Sequence, residues 1–212
     1  MKSILIITFV FLSQSICAQK NKTVSFDVSS NYYIPLIDAK PLFSYGFSFH
    51  VVNRINKFSL SFGLNYNRIR FEELFAEEYN YLHLTEKKYE IEYLDFPILF
   101  LFPNKEIKTV NIKAIAGLVF NTELDYTETS YYDNSEPKIT KGRKSPSKLG
   151  MSFKGGLEIS RFISTNWYIG LTPYIDVMFI SIYDTPHPKS GDRQTEKGIV
   201  FGTNLTIGFL AF

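Results

Sequence analysis

Nucleophilic or metal chemistry in this chain would have to be built from few parts. There are three histidines, His50, His83 and His187, and one cysteine, Cys17. A serine hydrolase needs a serine, a histidine and an acid held in one hydrogen-bonded line. His50 falls in a segment of alternating polarity, toward one end of it. His83 and His187 fall in polar connections, where histidine is ordinarily solvated. Ser190 follows His187 in a stretch broken by Pro186 and Pro188, which pre-organises a site poorly. Three scattered histidines offer no metal-ligand spacing. The residues therefore point to no enzyme, no catalytic residue, no cofactor and no metal.

A second set of chemically active residues is defined by parity. Asp27, His50, Asp95, Lys113, Lys154, Glu158 and Asp176 all occupy the polar side of alternating segments. If those sides face one interior, both signs of charge meet in a confined space and should pair, because an unpaired buried charge is costly. That reads as a salt-bridged filling of the interior, with a polar pore or proton path as the alternative. A third set is clustered in sequence. The stretch from Glu123 to Ser147 is acidic first, then basic at Lys138, Lys141, Arg143 and Lys144. Those four are candidates for contacts with anionic headgroups or a protein partner.

The elements that would position these residues are strands. In Phe58-Ser-Leu-Ser-Phe-Gly-Leu-Asn-Tyr66 every second residue is apolar, the period of a strand with two unlike faces. Eight such segments occur, over residues 23–33, 42–52, 57–71, 89–102, 107–121, 148–162, 167–180 and 198–212. Their connections alternate short and long. Turns at 53–56, 103–106 and 163–166 are short, whereas residues 72–88, 123–147 and 181–197 form long polar loops. An up-and-down barrel crossing a membrane, with both termini on the short-turn side, requires this alternation. Long structureless loops would sit badly in a compact soluble domain.

Composition agrees with this geometry. Mean hydropathy is −0.06 although 45% of residues are hydrophobic, as expected when half of each strand faces polar groups. Twenty phenylalanines and fourteen tyrosines suit aromatic girdles at the membrane interfaces. A net charge of +2 gives no reason to expect nucleic acid. Residues 1–18 read as a signal peptide: Lys2, an apolar run, and a small residue at Ala18. Residues 19–212 then form the barrel domain without a thiol, since Cys17 leaves with the signal. Inward glycines such as Gly46, Gly117, Gly202 and Gly208 fit a narrow lumen. Pro97 donates no ladder hydrogen bond and predicts a bulge or local break. Trp167 and Tyr168 follow a short turn and are expected to anchor at an interface. Phe212 is expected to be an assembly signal, although its parity with Gly208 and Thr206 requires either a bulge or a residue that does not face lipid.

Glu92-Tyr-Leu-Asp-Phe-Pro-Ile-Leu-Phe-Leu-Phe102 resembles a run found in small Bacteroidetes outer-membrane β-barrel proteins of the porin-like and PorT-like group. Ala114-Ile-Ala-Gly-Leu118, Leu149-Gly-Met-Ser-Phe-Lys-Gly-Gly-Leu-Glu158 and Thr206-Ile-Gly-Phe-Leu-Ala-Phe212 resemble the same group. The resemblance implies an eight-stranded antiparallel transmembrane barrel in a bacterial outer membrane, and it carries no catalytic residue. It allows a part in a secretion or surface-assembly apparatus. The expected partners are outer-membrane lipid, the barrel-assembly machinery and a protein met through the extracellular loops. The leading reading is a non-enzymatic structural or interaction component. A small porin and a lipid-modifying enzyme are the alternatives.

Overall fold

The computed structural model describes residues 22–35, 39–55, 58–74, 84–107, 109–133, 135–141, 149–180, 184–186, 193–195 and 198–211. Eight antiparallel strands form a closed barrel: β1 (Lys22–Pro35), β2 (Phe43–Ile55), β3 (Phe58–Leu74), β4 (Leu84–Ile107), β5 (Val110–Tyr132), β6 (Leu149–Phe162), β7 (Trp167–Ile180) and β8 (Gly198–Ala211). Each strand pairs with the next, and β8 pairs with β1 from Gly198 opposite Pro35 to Ala211 opposite Lys22. Closure leaves the barrel wall no free edge. Short pieces add to it: Ala39–Pro41 lies against β3, Ser135–Lys141 against β5, and Asp184–Pro186 pairs with Arg193–Thr195.

The stagger of the barrel can be read from its pairing. A row starting at Asp95 runs through Asn65, Ser48, Asp27, Thr206, Gly170, Ser160 and Asn111, and returns to β4 at Glu106. Strands of a closed barrel must tilt by such an offset. The residues between Asp95 and Glu106 on this row are all polar or glycine, so a polar spiral winds down the inside. The outside of the same strands is apolar, with Phe26 61% and Val28 65% exposed beside Phe47, Leu205 and Ile207. Apolar out and polar in is the pattern of a barrel set in lipid.

Two strands are much longer than the alternation predicts. β4 begins at Leu84 and β5 runs to Tyr132, so much of the expected loop sequence is strand. About ten residues suffice to cross the membrane; β4 has 24 and β5 has 23. The turn expected at Pro103–Glu106 is also strand: β4 runs to Ile107 and β5 begins at Val110. Pro97 makes no bulge. The β4–β5 register is continuous from Tyr93 to Pro103, and shifts occur at Leu84/Glu86, Glu92/Tyr93 and Pro103/Lys105. On its other side the pairing to β3 keeps one register but skips from Ile98 to Asp95. Proline here costs ladder contacts with β3 without displacing the strand.

Candidate functional site

The interior is layered from the periplasmic end outward. In the lowest layer His50 is held between strands. Its Nε2 lies 3.4 Å from Asp27 Oδ2, and its Nδ1 lies 3.2 Å from Ser61 Oγ. Ser48 Oγ donates to the same Asp27 oxygen at 3.1 Å. Asp27, His50 and Ser61 are buried and stand on β1, β2 and β3. This is the residue set of a serine hydrolase triad. The sequence does not single out Ser61, although it lies two residues from Gly63, the register partner of His50. A hydrolase also needs free donors for an oxyanion. The backbone around all three residues is paired strand. Across the lumen, Lys113 Nζ bonds Glu158 Oε1 at 2.8 Å, and Ser160 Oγ donates to that oxygen at 3.1 Å.

The middle layer is built around Tyr174. A Cβ on Gly202 would collide with the Tyr174 ring, which explains a glycine directly opposite it on β8. Glycine facing an aromatic ring across strands is a recurrent barrel pairing. The Tyr174 hydroxyl accepts from Asn31 Nδ2 at 3.4 Å, and Lys154 Nζ sits 3.6 Å from the ring centroid. Lys154 is the register partner of Asp176. Asp95 accepts from Asn121 Nδ2 at 2.9 Å and from Asn67 Nδ2. The charged residues marked by parity thus all line the interior, grouped as Asp27 with His50, Lys113 with Glu158, and Lys154, Asp176 and Asp95 in the middle.

The top layer reverses the chemistry. Tyr33, Ile69, Phe71, Tyr89, Ile91, Tyr93, Tyr126, Tyr174, Met178 and Val200 form one buried cluster. Phe71 stacks on Tyr89 at 4.8 Å and meets Tyr33 at 5.5 Å. Burial pushes the Tyr89 hydroxyl well above the ordinary tyrosine range, and it donates to Glu73 Oε2 at 2.9 Å. The outer surface at this height is charged. Arg68 bonds Glu90 and donates to the Tyr45 hydroxyl at 2.8 Å, and Lys40 meets Glu72 at 2.8 Å. The interior is therefore not polar throughout, as the parity argument expects; its outer end is an aromatic plug, and lower down Leu99, Leu101, Ile115 and Val119 form a second buried apolar cluster beside Ser61.

The surface candidates separate. Lys138 and Lys141 stand on the fully exposed strand Ser135–Lys141, which extends the β5 edge. Trp167 faces outward at the periplasmic rim, its ring 5.1 Å from Phe209. Tyr168 does not join it as an anchor. It points inward, 6% exposed, with its ring over Gly208, because successive strand residues face opposite sides. The β1–β8 register is unbroken to Ala211, so no bulge occurs before that residue. Phe212, Arg143, Lys144, His83, His187, Ser190 and the signal segment 1–18 lie outside the described residues.

Residues 14–184 match a family model described as an outer membrane protein beta-barrel domain. No curated protein sequence matches the chain. Among solved structures, Neisserial surface protein A superposes with a TM-score of 0.50 at 11% identity, covering 89% of this chain and 96% of that one. A major outer membrane protein from Thermus thermophilus gives 0.53 at 10% identity, covering 89% and 98%. At these identities the likeness is one of fold alone.

Proposed function

The chain belongs to the outer membrane protein β-barrel domain family, and on that premise we propose that it is a non-conducting surface-interaction component of the bacterial outer membrane. The observation that carries this reading is the outward extension of β3, β4 and β5. Their outer thirds, with Ala39–Pro41 and Ser135–Lys141, make a sheet standing beyond the apolar band. The aromatic cluster behind that sheet fills the lumen and braces it. Rigid elements present a contact surface more accurately than loops do. Lys138 and Lys141 are the contact residues of this reading, and lipid and the barrel-assembly machinery are its general partners. Residues 1–18 are the export signal, and Phe212 serves assembly. The resemblance to the PorT-like group supports a place in a secretion or surface-assembly apparatus.

Planar-bilayer recording tests the non-conducting part. The purified barrel should give no steady single-channel current, and Phe71→Gly with Tyr89→Gly should admit current by opening the plug. A steady conductance in the unaltered protein would return the porin reading to first place. Photo-crosslinking groups placed at Lys138 and, as a control, at Trp167 test the rest. A defined protein adduct at position 138, absent at 167, supports the contact role; lipid adducts alone at both positions count against it.

A further inference from the structure

The lipid-facing side of the barrel is not evenly filled. A groove of about 850 Å³ opens on the outer face of β1, β8, β7 and β6. Ser30, Thr203, Pro173 and Gly155, one from each strand in that order, form its floor. The exposed rings of Tyr32, Phe201 and Phe153 stand along its extracellular side, and Leu157 bounds its other side at Gly155. Beside Pro173, which has no N–H to give, the β6–β7 pairing skips from Gly156 opposite Tyr174 to Ile159 opposite Leu171. From Ser30 to Gly155 the groove crosses three strand spacings, about 14 Å at about 4.8 Å each. One leaflet's share of a hydrocarbon core is also about 15 Å.

The chemistry of this face is ordered along one row of register partners. From β3 to β7 the row reads Arg68, Tyr45, Ser30, Thr203 and Pro173. Rows in this direction descend toward the periplasm, as the one from Asp95 to Glu106 does, so Arg68 is the high end. A guanidinium, a phenol, two hydroxyls and an apolar ring follow one another downward. Headgroup, acyl linkage and chain of a membrane lipid follow one another in the same order. The guanidinium is engaged by Tyr45 and Glu90. The two hydroxyls have no hydrogen-bond partner among the described residues. They interrupt apolar files: Val28 and Tyr32 flank Ser30, and Phe201 and Leu205 flank Thr203. A hydroxyl turned to hydrocarbon without a partner is costly. Tyr32 meets Phe43 at the outer edge of the apolar band, and aromatic rings settle at the headgroup boundary. Ser30, two residues below Tyr32, therefore stands at the level of the acyl linkages.

We propose that this groove holds one acyl chain of an outer-leaflet lipid. The Ser30 and Thr203 hydroxyls donate to its ester or amide carbonyl, and the chain lies over Pro173 and Gly155. The occupant is lipid because the groove is continuous with the apolar band that lipid already covers. A second barrel fits less well: the rings of Tyr32, Phe201 and Phe153 stand above the floor and hold another wall away from it, whereas a single chain lies beside them. The inference rests on the membrane-barrel fold and not on the extracellular contact sheet.

The test uses the mature chain refolded into phosphatidylcholine vesicles that carry a trace of ester-linked phosphatidylcholine with a diazirine on one acyl chain. Adducts formed on photolysis are located by mass spectrometry. They should concentrate on the groove residues of β6, β7 and β8 rather than spread over the apolar band. Two host vesicles are compared, one of ester-linked lipid and one of its ether-linked analogue, which lacks the carbonyl. The ester probe should label the groove about fivefold more in the ether host, the scale of one net hydrogen bond. Ser30→Ala with Thr203→Val should erase that difference. Gly155→Leu should lower groove labelling in both hosts; a Cβ there meets nothing closer than 3.8 Å, so the barrel accommodates it. Val28→Leu, outside the groove, should leave labelling unchanged. Adducts spread evenly over the band, or equal groove labelling in the two hosts, overturns the proposal in favour of ordinary lipid contact. Groove labelling that falls as the protein-to-lipid ratio rises overturns it in favour of a second copy. The comparison of hosts needs no variant, so it decides even if a variant fails to fold, and either result leaves the crosslinks at Lys138 to be judged on their own.

Discussion

Ser61, His50 and Asp27 show how far residue types and distances alone carry an argument. Ser61 Oγ lies in a hydrogen bond 3.2 Å from Nδ1, and Asp27 Oδ2 lies 3.4 Å from Nε2 as an ion-pair contact, so the residue types of a triad stand in one line. Their setting is not a triad's. All three are buried, and a Cβ on Gly63 would strike the imidazole, so the space beside His50 is already filled by the ring itself. Ser61 is accordingly a hydrogen-bond partner that orients His50. A fluorophosphonate probe should leave the folded barrel unlabelled, and Ser61→Ala should lower stability by about 1 kcal/mol, the scale of one buried hydrogen bond. Covalent labelling at Ser61, lost in His50→Ala, would instead make this an enzyme. Gly202 teaches the complementary lesson. It carries no functional group, yet it fixes where Tyr174 lies, and through Tyr174 where Asn31 and Lys154 point.

At the scale of elements, the decisive event is a change of phase inside a strand. On β3 the apolar residues Phe58, Leu60, Phe62, Leu64 and Tyr66 face outward. Ile69 and Phe71, of opposite parity, are buried inside. The register with β4 stays constant across this point, so no bulge causes the change. β4 mirrors it, with Tyr89, Ile91 and Tyr93 inside and Phe96, Ile98 and Phe100 outside. A strand leaving lipid for water must make this exchange: the outer face becomes charged, and the inner face becomes the only place to bury an apolar side chain. Phe71→Ala should then cost about 3–5 kcal/mol, as deletion of a packed aromatic does, measured as a lowered denaturant midpoint of the folded band. A cost below about 1 kcal/mol would mean that the plug is loosely packed. The phase change also explains what the sequence shows and what it hides. Strand number, order and orientation follow from connection lengths and one constant parity. The ends of β3, β4 and β5 do not, because charged residues such as Glu72, Glu86 and Lys88 crowd there and read as loop. The triad-like contact is hidden for a different reason: it depends on the β2–β3 register, which places Ser61 two residues from Gly63, the partner of His50. The inward turn of Tyr168 is implied by its shared parity with Gly170, and a rule that aromatics anchor at rims obscures it.

For the whole molecule, the outer surface changes from apolar to charged along the barrel axis, and that change assigns the two ends. The apolar outer band stretches from Trp167 and Phe209 near the short turns to Tyr32 and Phe43 near the long connections, where the rings of the latter pair meet at 6.1 Å. Beyond that second pair β3 to β5 continue into water, and at the first the chain turns within a few residues. Both termini lie at the short-turn end, Lys22 opposite Ala211, which is the periplasmic side of an outer-membrane barrel. The composition allows a direct measurement. Cys17 is the only cysteine in the sequence, so a chain that loses residues 1–18 on export is free of thiols, and an introduced cysteine is the sole target of a maleimide. In intact cells Lys138→Cys should react with a membrane-impermeant maleimide, and Ser164→Cys, in the β6–β7 turn, should react only after the outer membrane is opened. The converse pattern would reverse the orientation. Labelling of the unaltered protein at both stages would show that Cys17 is retained, and would remove the signal-peptide reading while leaving the barrel intact.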